Sequence, residues 1–218
     1  MNHSAHGYTL VELLVAIAVT SIVLAGTYAA YTFFAQQQQA LLAQTEVDRG
    51  ALKAIDLMQS DIRMAGFNQD YAHPELMPPG QAIVISSANP GDVRFVYDDY
   101  ESFGGRILVR YYLANTTAGT PRKRLLRELR KCKSTTCDLS TSDTLNGAST
   151  SGEPVLDWVN TFSVQGLNPK PAGTYKDQFQ TVQVNLVVDS PKKIEGTVRQ
   201  VSKNFTFLAR AKNVSLVP

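Results

Sequence analysis

The feature that most constrains this chain is an apolar, charge-free run near its amino terminus. Residues 13–45 contain no Asp, Glu, Lys or Arg, and residues 13–34 are predominantly apolar. As an α-helix rising ~1.5 Å per residue, residues 13–34 would extend about 33 Å, enough to cross a hydrocarbon core of ~30 Å. Aromatic residues, which favour the membrane interface, lie near the far end of the run: Tyr28, Tyr31, Phe33 and Phe34. The run therefore predicts a membrane span.

The position of Glu12 helps to distinguish the classes of protein that begin with such a membrane span. A secretory signal has a shorter apolar stretch of ~7–15 residues and a small-residue cleavage site, so it fits the run poorly. A plain single-pass anchor fits the run but does not explain a carboxylate one residue inside its edge. Such a carboxylate either has a partner in the membrane or lies solvated among the headgroups. The residues alone leave both interpretations open.

Residues 7–12 read Gly-Tyr-Thr-Leu-Val-Glu and precede the apolar run, which resembles the signature of type IV prepilins. In that family a membrane peptidase cuts after the glycine and methylates the new amino terminus. The resemblance implies cleavage between Gly7 and Tyr8, N-methylation of Tyr8, and pairing of the Glu12 carboxylate with the terminal ammonium of a neighbouring subunit. Opposite charges attract strongly in a low dielectric, so this pair would set the stagger between helices.

Three features depart from the usual family pattern. The leader, residues 1–7, contains His3 and His6 but no Lys or Arg. Family leaders are usually basic, so the predicted orientation rests on the signature and not on positive charge. Tyr8 replaces the commoner Phe. Ala29 stands where major pilins usually carry a helix-kinking proline, which favours a minor subunit.

The helical pattern continues beyond the span. Residues 36–44 are mostly good helix formers. Apolar residues then recur at spacings of four and three, as in an amphipathic helix: Ala51, Ile55, Met58, Ile62 and Ala65. Gly66 predicts the end of the helix. One helix over residues 9–65 would be roughly 85 Å long, although Gly50 also allows a break into two helices.

Beyond Pro74 the apolar pattern becomes that of short strands. Seven stretches are strand-like: residues 83–85, 93–97, 106–113, 124–129, 155–164, 182–188 and 205–209. Val and Leu alternate with polar residues over 182–188, which predicts a strand with one face on a core. Residues 134–154 are rich in Ser, Thr and Gly and are predicted to form a surface loop.

The resemblance implies an α+β, pilin-like fold, in which a long N-terminal helix packs with its second half on an antiparallel β-sheet. The predicted division is a leader at residues 1–7, a membrane-spanning and filament-core helix at 8–35, its amphipathic continuation at 36–66, and a β-rich domain at 67–218.

Downstream motifs are similar to those of PilW-type minor pilins and J-type minor pseudopilins of type II secretion. They occur in the same order in this chain: Asp-Ile-Arg-x-Ala-Gly at 61–66, Arg-Tyr-Tyr-Leu at 110–113, Leu-Leu-Arg at 125–127, Val-x-x-Phe at 159–162 and a Phe-rich strand from 205. Their order is better evidence for this resemblance than any single motif, and of the two groups we favour the pilus subunit over the secretion pseudopilin.

Cys132 and Cys137 are separated by four residues in a polar stretch. Outside the cytoplasm this spacing predicts a small disulfide loop, contributing about 2 kcal/mol. A zinc site would need two further ligands, and the sequence has no second Cys pair and no His-x-x-x-His.

Composition and motifs give no indication of catalysis or of nucleic-acid binding. The chain has 21 basic and 19 acidic residues, without the concentrated basic excess of a nucleic-acid-binding protein. A local basic run at 122–133 predicts a solvated strand and turn, or less favourably an anionic partner surface. Asp98, Asp99 and Glu101 form a solvated turn or, less favourably, a calcium site of incomplete spacing.

His73 is the one histidine beyond the leader, and no nucleophile elbow, Walker loop or Rossmann fingerprint occurs. We therefore predict no enzymatic activity, no cofactor and no metal.

The resemblance implies a minor type IV pilin that takes part in pilus assembly or priming, near the filament tip. Its expected partners are the prepilin peptidase, other minor and major pilins, the inner-membrane assembly platform, membrane lipid and a tip adhesin. The chain would cross the inner membrane once, with its C-terminal domain periplasmic, before joining the pilus at the cell surface. The alternatives are a minor pseudopilin of type II secretion and, from a different class, a membrane-anchored adhesin or binding protein.

Overall fold

A computed structural model describes residues 8–67, 82–86, 88–115, 123–133, 137, 142–144, 152–167, 181–190 and 201–211. Within these ranges one helix, α1 (Leu10–Met64), precedes eight strands. The strands are β1 (Ile83–Ile85), β2 (Asp92–Asp99), β3 (Gly105–Asn115), β4 (Lys123–Cys132), β5 (Ser142–Thr144), β6 (Glu153–Leu167), β7 (Thr181–Asp189) and β8 (Ser202–Arg210). The predicted α+β, pilin-like layout is confirmed.

α1 is one uninterrupted helix of 55 residues. It begins after the N-cap Thr9 and ends at the C-cap Ala65, where Gly66 follows with a φ of 79°. Glycine adopts this left-handed conformation without a Cβ clash, so it terminates the helix as predicted. The break that Gly50 allowed does not occur. A Cβ at Gly50 would lie 3.0 Å from Cδ1 of Leu156 on β6, so this glycine serves close packing.

The first half of α1 lies outside the folded domain. The helix is long and apolar enough to cross a membrane, and the described part of the domain buries none of its most apolar stretch. Among the described residues, burial along α1 begins at Ala43. An apolar helix surface of this length requires lipid or other helices around it, because water is a poor solvent for it.

The strands form one antiparallel sheet in the order β1-β2-β3-β4-β6-β7-β8, with β5 paired to β4. The seven predicted strands all occur. β5 contradicts the prediction that residues 134–154 form only a surface loop, because residues 142–144 pair with residues 130–132 of β4. This short polar strand has no apolar alternation to reveal it. Its place is set by backbone hydrogen bonding to the end of β4 beyond Arg127, because β6 begins opposite Arg127 and leaves this edge unpaired.

The core lies between the second half of α1 and one face of the sheet. The predicted helix stripe is buried there, with Ala51, Met58 and Ile62 each at most 1% exposed. The predicted inward residues of β7 are buried as well: Val182, Val184, Leu186 and Val188. Small residues on α1, including Gly50, allow the helix axis to lie close to the strands.

A bulge interrupts β6 at Trp158. Trp158 has a φ of 65°, and the pairing of β6 with both neighbouring strands shifts register near this residue. A bulky residue in the left-handed region is strained by about 1–3 kcal/mol, so its surroundings must impose this conformation. Beyond the bulge, the Val164 N–H donates to the Pro90 carbonyl at 2.9 Å, so β6 reaches the turn before β2.

Replacing Met58 tests the packing of α1 on the sheet. Met58→Ala leaves a cavity at a residue that is 1% exposed, so we expect the free energy of unfolding to fall by about 2–5 kcal/mol. Chemical denaturation of the detergent-solubilised full chain measures this change. Met64→Ala is the matched control, because Met64 is 36% exposed on the same helix; equal losses in the two variants would contradict the described packing.

Candidate functional site

The amino-terminal end of α1 places Glu12 in the first helical turn, where it closes a capping box with Thr9. The Glu12 N–H donates to Thr9 Oγ1 at 3.2 Å, and the Thr9 N–H donates to Glu12 Oε2 at 3.0 Å. The Thr9 hydroxyl also lies 3.1 Å from the same carboxylate oxygen and donates to it. These bonds satisfy donors that the start of a helix leaves unpaired.

This geometry gives Glu12 a partner within its own chain. The carboxylate lies at the positive end of the helix dipole, which favours a negative charge. It is therefore partly stabilised before any other molecule approaches. The two interpretations left open by the sequence, a charged partner or a solvated headgroup position, both omitted this contribution. The signal was available, because Thr-x-x-Glu ahead of an apolar run is a capping-box pattern.

The structure describes only one of the other two residues predicted for the processing site. Tyr8 lies just before the N-cap and is exposed. Gly7 and the rest of the leader lie outside the described residues, as does His73. Cleavage after Gly7 and methylation of Tyr8 stay predictions.

A second arrangement joins the distal end of α1 to the sheet. The Arg127 guanidinium on β4 donates from Nε to Asp61 Oδ2 and from Nη2 to Asp61 Oδ1, both at 2.9 Å. The Tyr111 hydroxyl on β3 donates to Asp61 Oδ2 at 2.5 Å, and the Tyr97 hydroxyl on β2 donates to Oδ1 at 3.3 Å. Asp61 is 4% exposed. We call these four residues the helix–sheet anchor.

At the centre of the helix–sheet anchor is the buried Asp61 carboxylate, and all of the three other anchor residues donate hydrogen bonds to it. Burial raises the pKa of the Tyr111 hydroxyl, and the negative Asp61 carboxylate raises it further. The same two causes raise the pKa of Tyr97. Burial alone would lower the pKa of Arg127, but its hydrogen bonds and attraction to Asp61 produce a net rise. The tyrosines therefore stay neutral donors and Arg127 stays a cation, as the Asp61 carboxylate requires.

The anchor unites three of the downstream motifs. Asp61 belongs to the phrase at the helix end, Tyr111 to the tyrosine-bearing strand and Arg127 to the Leu-x-Arg strand, and Tyr111 and Arg127 are directly paired in register. The sequence identified these motifs only by their order. Sequence reasoning missed that they meet, and it missed Tyr97, which lies in none of these motifs.

The part of the basic run that lies in β4, residues 123–132, is divided between the two faces of the strand. Arg127 points into the anchor, so the prediction of a wholly solvated strand is wrong for this residue. Arg124 forms an ion pair with Asp157 between half-exposed side chains. Arg130 binds the buried Glu128 at 2.6 Å. Over the described residues 123–133, the basic side chains therefore do not form a single surface for an anionic partner.

The acidic segment 98–101 is also built into the fold. Asp98 is buried and binds Arg106 at 2.7 Å, so it is not part of a solvated turn. Asp99 Oδ1 accepts from the Ser102 N–H at 2.8 Å, which is a turn contact. Among the residues that the structure describes, no group of three or more His, Cys, Asp or Glu is arranged to hold a metal ion.

Cys132 and Cys137 are joined by a disulfide, with Cα atoms 5.2 Å apart. Cys137 packs against Val96 and Leu108 on the sheet face opposite α1, where the three form a small second core. The disulfide thus attaches the chain after β4 to the outer face of β2 and β3.

Comparison with known proteins places the amino-terminal segment in a recognised group. Residues 2–28 match the family model described as the prokaryotic N-terminal methylation motif. This match supports a type IV pilin-like family, and it covers only the leader and the first part of α1. A search of curated proteins found no match, and a search of solved structures found none either.

Removing the Asp61 charge tests the anchor. Asp61→Asn leaves the Arg127 guanidinium buried without its counterion, so we expect the free energy of unfolding to fall by about 3–5 kcal/mol. Asp157→Asn is the matched control, because it breaks an ion pair whose side chains are 48% and 49% exposed and should change stability by less than about 1 kcal/mol. Denaturant titration of both variants makes the comparison, and similar small losses would contradict a buried anchor.

The two anchor tyrosines predict alkaline destabilisation. Their pKa values are raised in the folded chain, whereas in the unfolded chain they titrate near the ordinary value of 10.0. Their contribution is fully present below pH 10 and is lost as the pH rises, because the unfolded state then releases protons that the folded state keeps. The slope steepens through pH 10 and approaches a limit of about −1.4 kcal/mol per pH unit for each tyrosine above that pH. Denaturation between pH 9 and 11 measures it, and Tyr111→Phe should reduce the slope; an unchanged slope in that variant would contradict the assignment.

Proposed function

We propose that this chain is a minor type IV pilin, a structural subunit that takes part in pilus assembly or priming near the filament tip. The observation that supports this most is the methylation motif at residues 2–28, which lies on a helix whose apolar half is uncovered by its own domain. A prepilin leader followed by an uncovered apolar helix suits a subunit that is first stored in the membrane and then packed among other helices. The matched motif is typical of structural subunits and not of enzymes.

In this proposal Glu12 changes partners on assembly. In the single chain its Oε2 atom accepts bonds from Thr9, which reduces the free-energy cost of holding a carboxylate at the edge of the span. Once Tyr8 is the mature amino terminus, the terminal ammonium of an adjacent subunit supplies a full positive charge. An ion pair in a low dielectric would outweigh the neutral donors that it replaces.

The helix–sheet anchor suits a subunit that is moved by its helix. Extraction from the membrane moves α1, and the domain must follow without the helix pulling away from the sheet. A buried bidentate pair between Asp61 and Arg127, reinforced by two tyrosine hydroxyls, resists that separation. Two sequence features favour a minor over a major subunit. Ala29 stands where major pilins usually carry proline, and the downstream motifs occur in the order of the minor subunits that they resemble.

The proposed partners follow from this cycle. Prepilin peptidase would process the leader, the inner-membrane platform would receive the anchored subunit, and other minor and major pilins would pack on α1, with a tip adhesin beyond them. The chain would reside in the inner membrane with its domain periplasmic until incorporation. A minor pseudopilin of type II secretion shares the same amino-terminal chemistry and is the second candidate.

Processing can be measured directly. We expect mass spectrometry of the membrane-purified chain to give a mature amino terminus at N-methyl-Tyr8. An intact Met1, or cleavage beyond the apolar run, would contradict the proposal. Gly7→Leu is the control and should retain the leader, because the peptidase requires the small residue before its cut.

The assembly role of Glu12 can be separated from its capping role. We expect Glu12→Gln, which keeps a hydrogen-bond acceptor but not the charge, to reduce incorporation of the mature chain into filaments at least about tenfold, without blocking processing. Thr9→Val removes the hydroxyl partner and keeps the charge, so it should reduce incorporation less. Immunoblotting of sheared filaments measures both, and equal incorporation in Glu12→Gln and the parent chain would contradict the role. Deleting the gene and scoring pili against secreted enzymes separates the pilus from the secretion system.

A further inference from the structure

One edge of the sheet is a long and regular strand. β8 is the last strand in the sheet order, and it pairs with β7 over its whole length, Ser202–Arg210, without a shift in register. Among the residues that the structure describes, no strand pairs with the other side of β8. Sheets usually protect a long edge strand with a proline, a bulge or a covering segment. β8 contains no proline and no bulge, so its free side is a template for another strand.

The backbone groups on this free side follow from the pairing with β7. The Ser190 N–H donates to the Val201 carbonyl at 2.7 Å, and these residues lie opposite each other, one position beyond the last paired residues of β7 and β8. Hydrogen-bonded and non-hydrogen-bonded pairs alternate along an antiparallel ladder. Counted from this bonded pair, Phe205 and Phe207 exchange bonds with β7. The residues that alternate with them point their N–H and C=O groups to the free side: Asn204, Thr206 and Leu208.

The side chains of β8 leave an apolar surface incomplete at the same edge. Phe205 and Phe207 pack against the core on the face that α1 covers, but they are only partly buried. Leu208 is 61% exposed on the opposite face. An added strand with apolar residues at alternate positions would cover the two phenylalanines. β8 carries two basic residues and no acidic one, which favours an added strand that contains an acidic residue.

A second copy of this chain does not suit the edge. Antiparallel pairing of two β8 strands relates the copies by a two-fold axis perpendicular to the sheet. Because α1 lies along one face of the sheet, this rotation makes the two helices antiparallel, so their spans could not share one membrane in the same direction. Parallel pairing would turn one sheet over and place polar residues of one copy beside the phenylalanines of the other. The other described strands with an open side, β1 and β5, have three residues each.

We propose that the free side of β8 binds an extended segment of a different protein, which adds an antiparallel strand to the sheet. The backbone groups of Asn204, Thr206 and Leu208 bind the main chain of this segment. Its alternate apolar side chains lie beside Phe205 and Phe207, and these contacts select the segment. This inference goes beyond the proposed function and does not depend on it, because a membrane-anchored chain outside any filament presents the same edge.

Amide hydrogen exchange of the full chain in a non-denaturing detergent measures whether the edge is free. We expect the free-side amides of Asn204, Thr206 and Leu208 to exchange at least about 100-fold faster than those of Phe205 and Phe207. Slow exchange at all five positions in the isolated chain would mean that its own residues cover the edge, which overturns the proposal. Protection that grows with the concentration of the chain would indicate a second copy and would overturn it equally.

Binding is measured with a fluorescent synthetic peptide that has the sequence of β7, residues 181–189. In this sequence Val or Leu occupies every second position and the last residue is acidic. We expect the peptide to bind the full chain and to slow exchange of the three free-side amides at least about tenfold. A scrambled peptide of the same composition should bind at least about tenfold more weakly. The proposal fails if the β7 peptide does not bind, or if the scrambled peptide binds as tightly.

A proline variant locates the peptide on the edge. Thr206→Pro removes one free-side N–H and leaves the ladder to β7 intact, so the sheet should tolerate it, and peptide affinity should fall at least about tenfold. Thr206→Val is the matched control, because it loses the hydroxyl that donates to Asn185 at 2.9 Å but keeps the N–H; its affinity should stay within about twofold of the parent value. Circular dichroism checks folding, and Leu208→Pro repeats the test if Thr206→Pro does not fold. Unchanged affinity in a folded proline variant contradicts binding at β8.

Discussion

The bond between Asp61 and Arg127 determines how the two parts of this protein are held together. α1 contributes the carboxylate, and β4 contributes the guanidinium, at 2.9 Å through both oxygens. The Tyr97 hydroxyl of β2 and the Tyr111 hydroxyl of β3 also donate to Asp61. One carboxylate therefore contacts side chains from three neighbouring strands. A buried ion is tolerated only when its partners are all present. The anchor consequently fixes which turn of the helix faces which strand, more strictly than apolar packing would.

That fixed register matters because the two halves of α1 have different surroundings. The first half is not buried by the described part of the domain and depends on lipid or other helices, whereas the second half forms one side of the core. A second ion pair, Asp48 with Lys203 of β8, joins the membrane-near end of the packed half to the opposite side of the sheet. Its side chains are about one-third exposed, so it orients the helix more than it stabilises the fold.

Much of the fold followed from local pattern. Apolar residues spaced by four and three predicted the buried stripe of α1, and apolar–polar alternation predicted the inner face of β7. Gly66 predicted the end of the helix. Local sequence pattern did not predict the structure where a partner strand or a packed neighbour determined it. β5 is short and polar and exists because β4 has an unpaired end, and Gly50 stays helical because β6 packs closely against it. The bulge at Trp158 is also imposed from outside, since a tryptophan does not favour a positive φ by itself.

The sequence by itself determined the amino-terminal half of the candidate site. Thr9, Glu12 and the apolar run interact along a single helix, and contacts three or four residues apart can be derived from helical geometry. The tertiary structure alone decided the anchor and the close packing of Gly50 on β6. Asp61 and Arg127 are separated by 66 residues, and Gly50 packs against Leu156 of a distant strand. Sequence spacing does not encode such distances. They follow from the packing of α1 on the sheet and from the pairing of a buried carboxylate with its partners on neighbouring strands.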